Sequence, residues 1–150
     1  MTEVRCPTPE DTEALGSRIA ANLRPGDVVV LAGGLGAGKT LLTRGIATGL
    51  GVDEPVVSPT FVLVRQYKSG FIPVVHVDVY RLGSMNEFDD LDVLDTSRDG
   101  VLIIEWGEAV EQVLPEDHLR IEFEVDDDEC RTLRFIGQGS WTTRDLGALA

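Results

Sequence analysis

Apolar and polar positions follow two periods along this chain. Leu15, Ile19 and Leu23 recur every four residues, which lines one face of a helix. Thr8-Pro9-Glu10-Asp11 is its start: Thr8 as N-cap, Pro9 at the first helical position, acids in the first turn. Pro25-Gly26 ends it. Asp27-Val28-Val29-Val30-Leu31-Ala32 is a nearly unbroken apolar run, the mark of a strand buried on both faces. From Lys39 to Leu50 helical spacing returns with Leu42, Ile46 and Leu50, and Gly49 and Gly51 stand where such a helix stops. A loop from Pro55 to Pro59 leads into Phe61–Tyr67, which with Ile72–Tyr80 predicts a hairpin turning at Lys68-Ser69-Gly70. In the return strand Val75, Val77 and Val79 point to the core, whereas His76, Asp78 and Tyr80 point to the other side, a row of imidazole, carboxylate and phenol that reads equally as candidate chemistry or as a wet face. Residues 86–98 intersperse Phe88, Leu91 and Leu94 among acids and predict a short helix. Val101-Leu102-Ile103-Ile104 predicts a second buried strand. Leu119–Val125 and Arg131–Ile136 predict a hairpin around Asp126-Asp127-Asp128-Glu129, and Trp141–Leu149 a final helix.

The chain has 150 residues, enough for one domain with a real core, and shows no linker, repeat or low-complexity segment. No apolar run approaches membrane-spanning length, and the first residues lack the pattern of a signal peptide; a cytoplasmic location is the expectation. Twenty-six acidic against 13 basic residues leave a net charge of −13. That argues against this chain alone gripping a nucleic-acid backbone and favours basic protein partners. Cys6 and Cys130, with His76 and His118, show no metal-ligand spacing and read as two reduced, partly buried thiols. The acids Glu87, Asp89, Asp90, Asp92, Asp95 and Asp99 lack the glycine and closing glutamate of a calcium loop, and read as a solvated face or a docking surface for a basic partner. Trp106 and Trp141 read as core or interface residues.

The chemistry concentrates at Gly33-Gly34-Leu35-Gly36-Ala37-Gly38-Lys39-Thr40, which matches the phosphate-loop pattern G-x-x-x-x-G-K-[ST] at every fixed position. Glycines let backbone N–H groups curl around an anion; the lysine reaches the outer phosphates and the threonine hydroxyl ligates magnesium. The strand before the loop and the helix after it supply the required context, since a helix N-terminus itself attracts phosphate. The second buried strand runs into Glu105, where a phosphate-loop protein places the acid that serves the metal.

Four segments then combine. Gly36-Ala37-Gly38-Lys39-Thr40, Ser58-Pro59-Thr60-Phe61, His76-Val77-Asp78-Val79-Tyr80-Arg81-Leu82 and Ile104-Glu105-Trp106, in that order, make the chain resemble the TsaE (older name YjeE) family, the small bacterial ATPase of tRNA threonylcarbamoyladenosine synthesis. The resemblance implies a P-loop NTPase-like, three-layer α/β/α fold, with a mainly parallel central sheet extended by antiparallel strands. It implies ATP and Mg²⁺ as cofactors, with Thr40 and Glu105 at the metal and Asp78 near the γ-phosphate. It places Thr60, His76, Tyr80, Arg81 and Trp106 in nucleotide-responsive or partner-facing segments, and Thr12 at the adenine edge. It further implies TsaD and TsaB as protein partners, with tRNA reached through their complex and no membrane involved. Two positions depart from the family pattern: Gly34 stands where an acid is common, and Gly107 where proline often follows the tryptophan.

The resulting expectation is ATP hydrolysis by an in-line water. Lys39 and the loop amides hold the phosphates, Thr40 and Glu105 the metal, and Asp78 the water. Arg81 or a partner would supply any arginine finger. Two rivals stand beside it. A small-molecule kinase would need an arginine-rich lid, which the sequence lacks. A nucleotide-dependent binding module without useful hydrolysis fits the same residues. A GTPase would need an Asn-Lys-x-Asp stretch, and none follows a strand.

Overall fold

The computed structural model describes residues 2–34, 36–56, 64–79 and 85–145, and of Met85, Asn86 and Glu108 the backbone alone. Seven strands form one sheet in the order β1-β7-β6-β2-β5-β4-β3. They are β1 (Thr2–Cys6), β2 (Val28–Ala32), β3 (Val64–Tyr67), β4 (Val74–Asp78), β5 (Val101–Glu105), β6 (His118–Val125) and β7 (Arg131–Gln138). The centre, β6-β2-β5-β4, is parallel. Antiparallel strands extend it on both sides: β7 and β1 beyond β6, and β3 beyond β4. The sheet as a whole is therefore mixed, a parallel centre extended by antiparallel strands.

Two helices cover one face, α1 (Pro9–Ala20) and α2 (Lys39–Gly49). α1 begins as its sequence dictates. The Thr8 hydroxyl accepts from the Asp11 amide at 3.2 Å and the Asp11 carboxylate accepts from the Thr8 amide at 3.0 Å, a reciprocal cap. Leu15 and Ile19 of α1 and Leu42 and Ile46 of α2 are fully buried against Val29, Leu31, Ile103, Leu119 and Ile121 of the sheet. The two helices cross very closely. A Cβ on Gly45 would sit 2.0 Å from the Glu13 carbonyl oxygen, and one on Gly16 2.5 Å from that of Leu42. On the other face a second core gathers Val75, Val77 and Val79 with Leu102, Ile104, Phe88, Val93 and Val110. It is covered by two short helices, α3 (Met85–Asp90) and α4 (Val93–Thr96), and by 3₁₀ turns after β5.

Several expectations need correction. The single helix over 86–98 is two, broken at Asp92, whose left-handed φ of 55° cannot continue a helix. The hairpin turn is longer than 68–70, because the return strand starts at Val74 rather than Ile72. Of the helix expected over Trp141–Leu149, the described part is a 3₁₀ turn, Gly139–Thr143, with extended backbone at Arg144, and residues 146–149 lie outside the described residues. Arg144 there lays its guanidinium 3.5 Å from the centre of the buried Trp141 ring and donates to both Asp27 carboxylate oxygens, at 2.9 and 3.1 Å. These contacts tie Arg144 to the residue before β2. The face of β4 carrying His76 and Asp78 is not wet: the two are 0 % and 4 % exposed. β4 lies inside the sheet with both faces covered, so alternation no longer separates core from solvent. β1 has no counterpart among the elements expected from sequence. It pairs with β7, setting Cys6 opposite Arg131, and both cysteines are buried free thiols. Burial pushes the Cys6 thiol above its ordinary value.

Candidate functional site

The glycine loop joins the C-terminal end of β2 to the first turn of α2. Gly36 and Gly38 have φ of 74° and 104°, conformations that a side chain resists, so the sequence spends glycine where the loop must curl. Gly38 caps α2 without any side-chain hydrogen bond, which leaves the dipole of the first turn to an anion. Among the described residues, nothing lies within 4 Å of a Cβ placed on Gly34. Ala37 is buried against the first core.

Lys39, 5 % exposed, folds back over the loop. Its Nζ donates to the carbonyls of Gly33 (2.5 Å) and Gly34 (3.2 Å) and lies 3.6 Å from the centre of the Trp106 ring. The next residue, Thr40, donates its hydroxyl to the Glu105 carboxylate, 3.1 Å from Oε2 and 3.3 Å from Oε1. Register explains the meeting. β5 lies between β2 and β4, with Glu105 opposite both Leu31 and Asp78. Glu105 therefore ends its strand level with the start of the loop, and Asp78 ends the neighbouring strand beside it. Asp78 and Glu105 are 4 % and 5 % exposed. His76, two residues before Asp78, donates through Nε2 to Glu105 Oε2 at 2.5 Å. Trp106, immediately after Glu105, has a left-handed φ of 61°, an outlier for a bulky residue, and this turn carries its indole to Lys39.

The structure thus brings Gly33, Gly34, Gly36, Gly38, Lys39, Thr40, His76, Glu105 and Trp106 to one place, with Asp78 alongside. Thr12 stands behind the loop, its Cγ2 3.8 Å from where a Gly38 Cβ would lie, but it is wholly buried. Leu35, Thr60, Tyr80 and Arg81 lie outside the described residues. Sequence reading missed Arg131 and Phe123. Arg131 at the start of β7 donates through Nη2 to the Gly36 carbonyl at 3.1 Å, and Phe123 closes on Gly33 and Gly38. Neither has a local motif. Only the pairing of β6 and β7 beside β2 carries them to the loop.

A hydroxyl and a carboxylate about one hydrogen bond apart are hard oxygen donors, the set that suits magnesium, which takes one or two protein oxygens and completes its shell with water and phosphate. The residues present therefore fit that ion. They fit a phosphate tail as well, through one ammonium, curled glycines and a free helix start.

A glycine loop with a buried lysine, set between a parallel strand and a helix and backed by an acid from the next strand, defines an α/β protein with an anion-suited site at its strand ends. Residues 6–133 match the family model described as Threonylcarbamoyl adenosine biosynthesis protein TsaE. The tRNA threonylcarbamoyladenosine biosynthesis protein TsaE of Streptomyces coelicolor is 48 % identical over 144 residues, covering 91 % of this chain and 97 % of that protein. Its namesake in Bacillus subtilis is 40 % identical over 136 residues, covering 91 % and 85 %. The crystal structure of YdiB from Bacillus subtilis superposes with a TM-score of 0.77 at 35 % identity, covering 92 % of this chain and 86 % of that one. The chain belongs to the TsaE family, whose members are proteins of tRNA threonylcarbamoyladenosine biosynthesis. Among the described residues no helix is long and apolar enough to cross a membrane.

Proposed function

We propose that this chain is a magnesium-dependent ATPase with a P-loop fold, acting as one domain in the cytoplasm and supporting tRNA threonylcarbamoyladenosine formation together with TsaB and TsaD. The observation that carries the reading is the Thr40 hydroxyl on the Glu105 carboxylate beside the ammonium of Lys39. Amides of Gly36, Gly38 and Lys39 hold the β-phosphate, and Lys39 leaves the loop carbonyls to meet the outer phosphates. Thr40 and Glu105 would hold magnesium, which would supply positive charge against that developing on the γ-phosphoryl and leaving oxygens. Asp78, buried beside Glu105, orients the attacking water. tRNA is reached through the protein complex.

The test is thermal unfolding with and without Mg-ATP. Ligand at a hundredfold excess over Kd stabilises by about 2.7 kcal/mol. Wild type should show that rise in Tm, and Lys39→Ala should lose it while unfolding near the wild-type temperature without ligand. An unchanged Mg-ATP shift in the alanine variant would sink the assignment. Phosphate release with no acceptor present separates hydrolysis from a kinase reaction.

A further inference from the structure

We propose that His76 is the positioning residue for Glu105: its imidazole N–H holds the carboxylate in the orientation that receives the metal. The inference rests on the reading of Glu105 as a magnesium contact. Three observations carry it. The parallel register of β4 and β5 puts His76 opposite Ile103 and Asp78 opposite Glu105, so the imidazole lies behind the carboxylate on the same face of the sheet. Its Nε2 approaches Oε2 to 2.5 Å, with the ring 0 % and the Glu105 side chain 6 % exposed, so bulk water does not compete for this bond. The other ring nitrogen, Nδ1, is buried with no partner among the described residues. An imidazole that leaves one nitrogen unsatisfied is a poor filler for a strand whose other residues are Val74, Val75, Val77 and the buried Asp78. Its bond to Glu105 accounts for it.

The geometry also shows why a second hold is needed. Glutamate has three side-chain torsions, and the carboxylate is gripped from one side by Thr40 on α2 and from the other by His76 on β4. In the proposed site the Thr40 oxygen would give a lone pair to the metal, so the Thr40 hold on the carboxylate would move with that ion. His76 is the hold that stays on the sheet and keeps the carboxylate aimed. Outer partners of this kind set ligand orientation, and their loss typically weakens metal binding by about 10–100-fold.

The experiment compares His76→Leu, His76→Gln and Glu105→Gln in the full chain. Calorimetric titration with ADP is run without metal and across a series of magnesium concentrations. Leucine keeps the bulk and removes the donor; glutamine returns an N–H at about the place of Nε2. His76→Leu should raise the magnesium concentration for half-maximal effect on ADP affinity by about tenfold or more. ADP affinity without metal should stay within about twofold, and His76→Gln should recover most of the magnesium response. A leucine variant with wild-type magnesium dependence, while Glu105→Gln loses it, overturns the inference alone. Failure of glutamine to rescue also overturns it, because the role is then one of packing. If Glu105→Gln itself leaves the magnesium response intact, the reading of Glu105 falls and this inference with it. Should the leucine variant not fold, His76→Asn takes its place, since that amide is polar but too short to reach Oε2.

Discussion

Lys39 holds its ammonium against two loop carbonyls and the face of Trp106. A cation on an indole contributes about 0.5–2 kcal/mol, and the left-handed backbone of Trp106 costs roughly 1–3 kcal/mol. The two are of similar size, so the turn at Trp106 is held by the lysine contact together with its packing on the second core. Binding of a phosphate tail at Lys39 has to draw the ammonium off the ring. Tryptophan emission should therefore change on adding Mg-ATP. Trp106→Phe should remove that change, because Trp141 is buried in the first core. If the phenylalanine variant keeps the full change, the lysine does not move as argued. At this scale much of the site was legible: Lys39, Thr40 and Glu105 were named from local pattern, because a loop that curls around an anion constrains residue type strongly. Arg131 was not legible, since its approach to Gly36 depends on a strand 95 residues away in sequence.

Between elements, the decisive contact is the crossing of α1 and α2. Apolar spacing showed which faces of both helices turn inward, but not how closely they meet. Gly16 and Gly45 let the backbones approach until no side chain fits between them. Gly45→Ala should lower the free energy of unfolding in urea by about 2–3 kcal/mol, the upper range for overpacking a filled core. Gly34→Ala, with no described residue within 4 Å of the added Cβ, should change stability by less than about 0.5 kcal/mol. Equal effects from the two substitutions would mean that the helices separate freely. Elements whose ends are set by nearby residues came out close to expectation: α1 by its cap, α2 by its loop, and β6–β7 by an Asp126 side chain that accepts from the Asp128 and Cys130 amides. Elements set by distant neighbours did not. β1 is a strand because β7 offers it an edge, and the extended Arg144 is held by Asp27.

For the whole molecule, the mixed sheet flanks the loop on both sides: β7 and β1 extend it beyond β6, while β4 and β5 deliver the acids from the other side. Arg131 lies at the loop on Gly36, and Arg81, outside the described residues, or a partner remains the expected source of an arginine acting on the γ-phosphate. Such an arginine is worth about 10³-fold or more in rate. The purified chain should accordingly release phosphate more slowly than about one per second. Turnover at tens per second by the chain alone would show that it needs no partner. The net charge of −13 agrees with a partner that presents basic surface. The sequence by itself determined the loop, its flanking strand and helix, and the acid at the end of the next strand, because glycine conformation, capping and apolar period are local effects. Tertiary structure alone decided that the polar face of β4 is buried, that His76 grips Glu105, and that β6 and β7 close one flank of the loop. Each of those depends on strand order and register, which are settled by which faces can be covered together and not by any residue's neighbours in the chain.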